Sequence, residues 1–325
     1  MTTPLDTPVP RRAVRGGPAL APGYRRLAAL CEALAVRVAG VGVGVGAGVG
    51  VGVGANADSA DEEARPTGEW VTGAELAQDP QALSAFIGAE AARIRERHGH
   101  ASRPDVAASR ALHDYLWSVS LLMSGTWYLD RRVPRISPAE IRVDLATGGF
   151  EVTPGSGFAC LPDDPAAAPV APFGVRMSDV RRSGPGRSRV RPVADEEALR
   201  AELRSAVVDH MRPLLAAIGP HVRRGPRALW GMVGDDLVSG IWYLGRTLGQ
   251  EEHSVTAATE LLPAAIAPFP GGADFRRLVG REGHRYPTRT RTGCCLYYKL
   301  DAAGPCGTCP RTCDGERLRR LEGEG

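Results

Sequence analysis

Apolar residues recur every three or four positions in several blocks of the chain, the spacing of one helix face. YRRLAALCEALAVRVAG, 23–39, has leucine and alanine at that spacing and predicts a first helix with Cys31 as a core thiol. A second helix is expected over 80–97, ending near His98-Gly99-His100; histidines two apart face different sides of a helix, so this pair reads as a solvated turn. A third runs over about 105–131, through LHDYLWSVSLLMSGTWYLDR, with Ser102-Arg-Pro-Asp105 as its capping box, and stops before Val133-Pro134. A helix over about 195–217 opens on Asp195-Glu196-Glu197, which suit the positive end of its dipole. In the last, 226–248, Trp230, Gly234, Leu237, Ile241, Leu244 and Leu248 share one face. Asp235 and Asp236 lie elsewhere around it and are expected on its wet side.

The period changes to two in IRVDLATGGFEV, 141–152. Ile141, Val143 and Leu145 alternate with charged partners, the chain turns at Gly148-Gly149, and Phe150 and Val152 resume the alternation, which predicts a hairpin. The stretch 154–193, rich in proline, glycine and arginine, is expected to be mostly loop, with Cys160 an isolated thiol. The pattern as a whole predicts an α+β fold, mainly helical, with a small β-hairpin or sheet.

One segment has no usable period. VAGVGVGVGAGVGVGVGA, 38–55, alternates glycine with valine or alanine, and every glycine from Gly40 to Gly54 falls on an even number. A dinucleotide-binding GxGxxG needs glycines three apart, a phosphate loop needs GK[ST], and a membrane span needs stronger apolar content than alternating glycine supplies. With the acidic NADSADEEARP after it, the segment reads as a low-complexity linker, 40–66, between the helix 23–39 and a domain over 67–275. Residues 1–22 are expected to be disordered, and 276–325 to form a separate C-terminal domain.

Two of the expected helices contain a repeat. Ser124-Gly-Thr-Trp-Tyr-Leu-Asp-Arg131 and Ser239-Gly-Ile-Trp-Tyr-Leu-Gly-Arg246 agree at six of eight positions. Either the Ser-Gly pairs let helices approach closely while Trp and Leu fill the core, or two equivalent helices face one cavity walled by Trp127, Tyr128, Trp242 and Tyr243.

Composition narrows the function classes. The 325 residues carry a formal charge of only +3, too little to announce a nucleic-acid binder, and with a single lysine, Lys299, nearly all positive charge is arginine. The proline- and arginine-rich start contains no apolar run of the kind a secretory signal needs. That places the chain in the cytoplasm with no stable membrane insertion, where thiols stay reduced and a cysteine cluster points to a metal.

Such a cluster exists. GCCLYYKLDAAGPCGTCPRTC, 293–313, holds five of the seven cysteines. Only Cys306-Gly-Thr-Cys309 is a knuckle of the type that grips one zinc ion. Cys294 and Cys295 are adjacent and point in different directions, which suits a two-iron target better than a single tetrahedral ion. The arginines before them, Arg276, Arg277, Arg281, Arg285, Arg289 and Arg291, read either as a solvated face or as electrostatic support for a cluster that gains negative charge on reduction, Arg285, Arg289 and Arg291 being nearest. They could also dock an acidic electron donor.

The pattern C-C-x10-C-x2-C in RTGCCLYYKLDAAGPCGTCPR resembles the FhuF-type ferric siderophore reductases over about 289–311, with weaker similarity in RALWGMVGDDLVSG; residues 1–70 lie outside it. The resemblance implies a 2Fe–2S cluster held by Cys294, Cys295, Cys306 and Cys309, with Cys313 a departure from the pattern. It makes 67–275 a siderophore-binding domain and 276–325 the cluster domain. The implied activity is one-electron reduction of a ferric siderophore, of hydroxamate type, releasing ferrous iron. A ferredoxin or flavoprotein reductase would supply the electrons, since no nicotinamide or flavin fingerprint is visible. The residues leave two other readings open: a zinc module for protein or nucleic-acid contact, and an iron or redox sensor without turnover.

Overall fold

The computed structural model describes residues 19–31, 34–39, 69–155, 157–167, 189–300 and 304–323. The linker expected over 40–66 and most of the N-terminus expected to be disordered lie outside these. The expectation for 1–22 is corrected at its end: Leu20 is buried, and helix α1, Ala21–Leu30, begins directly after it.

The expected helix over 23–39 is cut short. α1 stops at Leu30, and Val36–Val38 is strand β1, because Val-Arg-Val has β-branched residues in alternation and finds a parallel partner in Phe150–Val152. Cys31 is fully buried. After Trp70–Thr72 (β2) comes α2, Gly73–Gln78, opened by a capping box: Thr72 Oγ1 accepts from Glu75 N at 3.1 Å and Glu75 Oε2 accepts from Thr72 N at 2.7 Å. α3, Pro80–His98, ends on Gly99 in the left-handed conformation.

α4, Pro104–Asp130, is the central helix. The capping box expected at Ser102–Asp105 does not form. Pro104 takes the first helical position, which makes Arg103 the N-cap, and Asp105 accepts two bonds from the Arg103 guanidinium at 2.9 and 3.0 Å. α5, Glu196–Val222, with Asp195 as N-cap, and α6, Pro226–Thr247, pack against α4; α7, Glu251–Leu261, packs on α6. The Ser-Gly pairs of the repeat sit at these contacts. A Cβ on Gly125 would meet Leu27 at 2.6 Å, and one on Gly240 would meet Leu121 at 3.3 Å, so both glycines let α4 be approached closely, by α1 and by α6.

The strands form three small sheets. β4, Ile141–Asp144, and β5, Phe150–Val152, make the expected hairpin, extended by β1 and β2 to the order β1-β5-β4-β2. The stretch expected to be mostly loop contains β6, Gly157–Cys160, antiparallel to β3, Arg132–Pro134, and β7, Arg189–Pro192, parallel to β6. Phe158, Ala159 and Cys160 are buried there, so local apolar burial overrides the surrounding proline and glycine. β8, Arg276–Val279, and β9, Arg285–Thr288, form an antiparallel hairpin, and α8, Asp314–Leu321, closes the described chain. Among the described residues no helix is long and apolar enough to cross a membrane.

The core holds one buried imidazole. His210 Nδ1 donates to Ile136 O at 2.8 Å, and in the neutral ring Nε2 accepts from the Tyr115 hydroxyl at 2.9 Å. Burial pushes its pKa down to about 4. The folded state therefore favours the neutral ring: its contribution is complete above the unfolded value of about 6.5 and is lost as pH falls through the folded one. The urea midpoint should drop between about pH 6.5 and 4 by on the order of 3 kcal/mol of stability beyond the carboxylate effects. A His210→Gln variant should lack that limb of the pH profile.

Candidate metal centre

From Arg289 onward the chain lies against α6 and the start of α4. Leu296 and Leu300 pack with Ile94, Val106 and Ala107, and Ser109 Oγ donates to Cys295 O at 3.2 Å. Leu296 adopts φ 65°, a left-handed bend that turns the chain just after the cysteine pair, and its N–H points at Cys294 Sγ, 3.4 Å away. The two halves of the motif are joined where Arg291 N donates to Thr308 O at 2.9 Å.

The second half is a tight turn whose carbonyls are taken up from outside. Cys309 N donates to Cys306 O at 3.0 Å, and Thr312 Oγ1 donates to the same oxygen at 2.8 Å. The buried Arg317 of α8 donates to Gly307 O and to Cys309 O, both at 2.7 Å, while Arg320 donates to Pro305 O at 2.6 Å. Helix α8 thus clamps the knuckle and fixes where its sulfurs lie.

Cys294, Cys295, Cys306 and Cys309 line one small cavity, with the sulfurs of Cys294 and Cys309 3.8 Å apart. Burial, with Cys294 and Cys306 close by, pushes the Cys309 thiol up to about 11. Among the described residues no three histidine, cysteine or carboxylate side chains group as ligands of a single ion. Four thiols around one cavity fit a 2Fe–2S cluster, whose two irons take four thiolates. Cys313 is the exposed N-cap of α8 and does not line the cavity, and Cys160, like Cys31, is buried in the core.

Behind this loop lies a buried ionic group that corrects the expectation for Asp235 and Asp236. Neither is on a wet face; they are 1% and 0% exposed. Asp235 accepts from Arg289 Nη2 at 2.7 Å, Gly293 N at 2.7 Å and Thr292 N at 3.0 Å. Asp236 accepts from Arg291 Nη2 at 2.6 Å and His113 Nδ1 at 2.9 Å. Burial is the largest influence on both carboxyls. It pushes Asp235 up, whereas at Asp236 Arg291 and His113 together outweigh it and hold the group below the usual range. The two arginines balance the two carboxylates, and Asp235 grips the backbone immediately before the cysteine pair.

The reason was present in two patterns. Around Asp235 and Asp236, helix α6 is apolar or small on every side from Leu229 to Val238, so no side of that stretch was suited to water. Arg289 and Arg291 are two apart, the spacing that puts both on one side of extended chain, facing one helix.

Of the three arginines expected to support a cluster, Arg291 lines the small cavity with the four cysteines. Arg289 is one step removed, held by Asp235, Ala273 O and Ser239 Oγ. Arg285 is exposed on the β8–β9 hairpin and is not among the residues around the thiols, because the hairpin projects away before the chain turns in at Thr288. Further out, Arg276 pairs with Asp314 and Arg277 with Glu252. Arg110, which sequence patterns did not single out, pairs with Asp114 and lines the cavity that Cys295 borders.

A larger cavity, about 480 Å³, opens beside Cys295 and Cys306. Trp242 and Tyr243 wall it, as expected from the repeat, together with Trp117, whose ring meets Tyr243 edge-on at 5.6 Å. Trp127 and Tyr128 do not. Trp127 is 1% exposed in the core, and Tyr128 turns to His253 and Gln250. The repeated octapeptides sit at different heights relative to the cavity, and Trp117, ten residues earlier on another side of α4, takes the place expected of Trp127. Arg110, Arg246 and Arg291 give the cavity a cationic lining against one carboxylate, Asp114.

The family model of the FhuF 2Fe-2S C-terminal domain matches residues 291–311. That span contains all four cysteines of the small cavity and upholds the resemblance to FhuF-type ferric siderophore reductases. The cofactor of the segment is a 2Fe–2S cluster. No curated protein matches the chain.

Proposed function

We propose that the protein reduces a ferric siderophore by one electron and so releases ferrous iron, with Cys294, Cys295, Cys306 and Cys309 as the cluster ligands. The observation that carries this reading is the 480 Å³ cavity whose floor includes Cys295 and Cys306. When bound, the cluster supplies electrons singly, which matches the step from ferric to ferrous iron. Oxygen chelators hold ferric iron tightly and ferrous iron weakly, so the chain needs no acid or base of its own for release to follow.

The residues around the cavity do the binding. Trp117, Trp242 and Tyr243 offer apolar faces to the organic frame of a chelate, and Arg110 and Arg246 offer donors to its oxygens. A hydroxamate chelate, with compact oxygen donors on an aliphatic frame, fits both. The exposed Cys306–Gly307 corner is the edge at which a separate donor, a ferredoxin or flavoprotein reductase, could approach. We place the protein in the cytoplasm, where such donors and reduced thiols coexist.

Steady-state formation of ferrous iron from a ferric trihydroxamate, followed with a ferrous-specific chromogenic trap, tests the reading. The rate should saturate with chelate. Trp242→Ala should raise KM by about tenfold with a smaller change in kcat, because a lost aromatic contact is worth about 1–2 kcal/mol of ground-state binding. A purified protein with one zinc and no acid-labile sulfide would overturn the proposal in favour of a zinc module. An iron–sulfur protein that releases no iron from any ferric chelate would make it a sensor.

A further inference from the structure

The four thiols are not equivalent in their surroundings. A metal–thiolate bond of about 2.3 Å at a tetrahedral angle puts two sulfurs on one metal about 3.8 Å apart. The sulfurs of Cys294 and Cys309 are 3.8 Å apart. Of the two cavities Cys294 and Cys309 border the small inner one, whereas Cys295 and Cys306 border both. We propose that the ligand pairs cross between the two halves of the motif: Cys294 with Cys309 on an inner iron, Cys295 with Cys306 on an outer iron facing the substrate cavity, and that the outer iron takes the added electron. The inference rests on the assignment of these four cysteines as ligands made under the proposed function.

The loop explains why pairing must cross. The adjacent Cys294 and Cys295 differ in surroundings, since Cys295 reaches the large cavity and Cys294 does not, and the Leu296 N–H points at Cys294 Sγ. The bond from Arg291 N to Thr308 O then lays the cysteine pair alongside the knuckle, where Cys294 Sγ meets Cys309 Sγ and Cys295 and Cys306 together border the large cavity.

Charge selects the outer iron. An added electron turns one ferric ion ferrous without breaking a bond or moving a proton, so the better site is the one with nearer cations. Arg291 borders both cavities, whereas Arg110 borders the large one, with Cys295 and Cys306, and not the small one. Cys294 and Cys309 share only Arg291 of these two cations, and Cys294 Sγ takes a neutral backbone N–H. The electron would thus reside on the iron beside the cavity, one thiolate from a bound chelate.

Single serine substitutions read the pairing directly. A serine oxygen is a harder donor that favours ferric iron, so at the reducible iron it lowers the reduction potential strongly and at the other iron weakly. Cys295→Ser and Cys306→Ser should both lower the potential by a large and similar amount and alter the electron paramagnetic resonance g-values of the reduced cluster. Cys294→Ser and Cys309→Ser should shift both little. Effects grouped by sequence neighbours, Cys294 with Cys295 and Cys306 with Cys309, or equal in all four, overturn the proposal. Should serine variants fail to hold a cluster, Arg110→Gln keeps every thiol and decides the matter: the potential should fall and the g-values move, and an unchanged potential overturns it. None of these measurements uses a ferric chelate. A protein that reduces no chelate would sink the proposed function and leave this pairing standing, and the reverse also holds.

Discussion

Replacing Cys295 by alanine should yield a colourless protein, with iron and acid-labile sulfide falling from about two of each per chain to near zero. Alanine at Cys309 should do the same. Cys313→Ala should keep full iron, sulfide and visible absorption, because Cys313 is exposed at the start of α8 and takes no part in the thiol cavity. Cys31→Ala and Cys160→Ala should also keep their cluster; both thiols are buried in the hydrophobic core, and burial pushes the Cys31 thiol up to about 11, the behaviour of an inert packing group. Metal and sulfide analysis of the five variants separates the ligands from the bystanders. Loss of the cluster in Cys313→Ala would move a ligand position to that residue.

The second large effect is expected far from any sulfur. Asp235→Ala removes the carboxylate that holds Arg289, Thr292 N and Gly293 N, and it leaves the fully buried Arg289 guanidinium without its counter-ion. Breaking a buried pair in this way costs about 3–5 kcal/mol. The backbone before Cys294 loses its anchor at the same time, so the cluster should be lost or labile even where the helices remain. Urea unfolding and iron content, measured on the same preparation, should fall together. Arg289→Met paired with Asp235→Leu removes both charges and should recover much of the stability, but not the grip on Thr292 N and Gly293 N, so cluster occupancy should stay low. Full cluster occupancy in Asp235→Ala would show that the ionic group does not position the loop.

The parts of the molecule that the sequence made legible are those governed by local period. Helices α3, α4, α5 and α6 follow three-and-four spacing, and the 141–152 hairpin follows alternation with a Gly-Gly turn; in both cases the residues that set the element lie within it. The elements that were missed depend on distant partners. Val36–Val38 becomes a strand only because Phe150–Val152 offers an edge, and Gly157–Cys160 and Arg189–Pro192 pair across a long intervening stretch. At the candidate site the cysteine spacing alone located the thiols. The ionic group behind them was legible only in part: the apolar surround of Asp235 and Asp236 signalled burial, but their partners are arginines more than fifty residues later. The repeat suggested a symmetric cavity, and only its second copy, Trp242 and Tyr243, lines one.

The single measurement that bears most directly on the proposed activity is an anaerobic single turnover. The protein is reduced to the one-electron state, freed of excess reductant and mixed with a ferric trihydroxamate and a ferrous trap. The account predicts that the visible absorption of the oxidised cluster returns and that one ferrous ion is trapped per cluster, the two at the same rate. A cluster that stays reduced, or one that reoxidises while no ferrous iron is trapped, would contradict it.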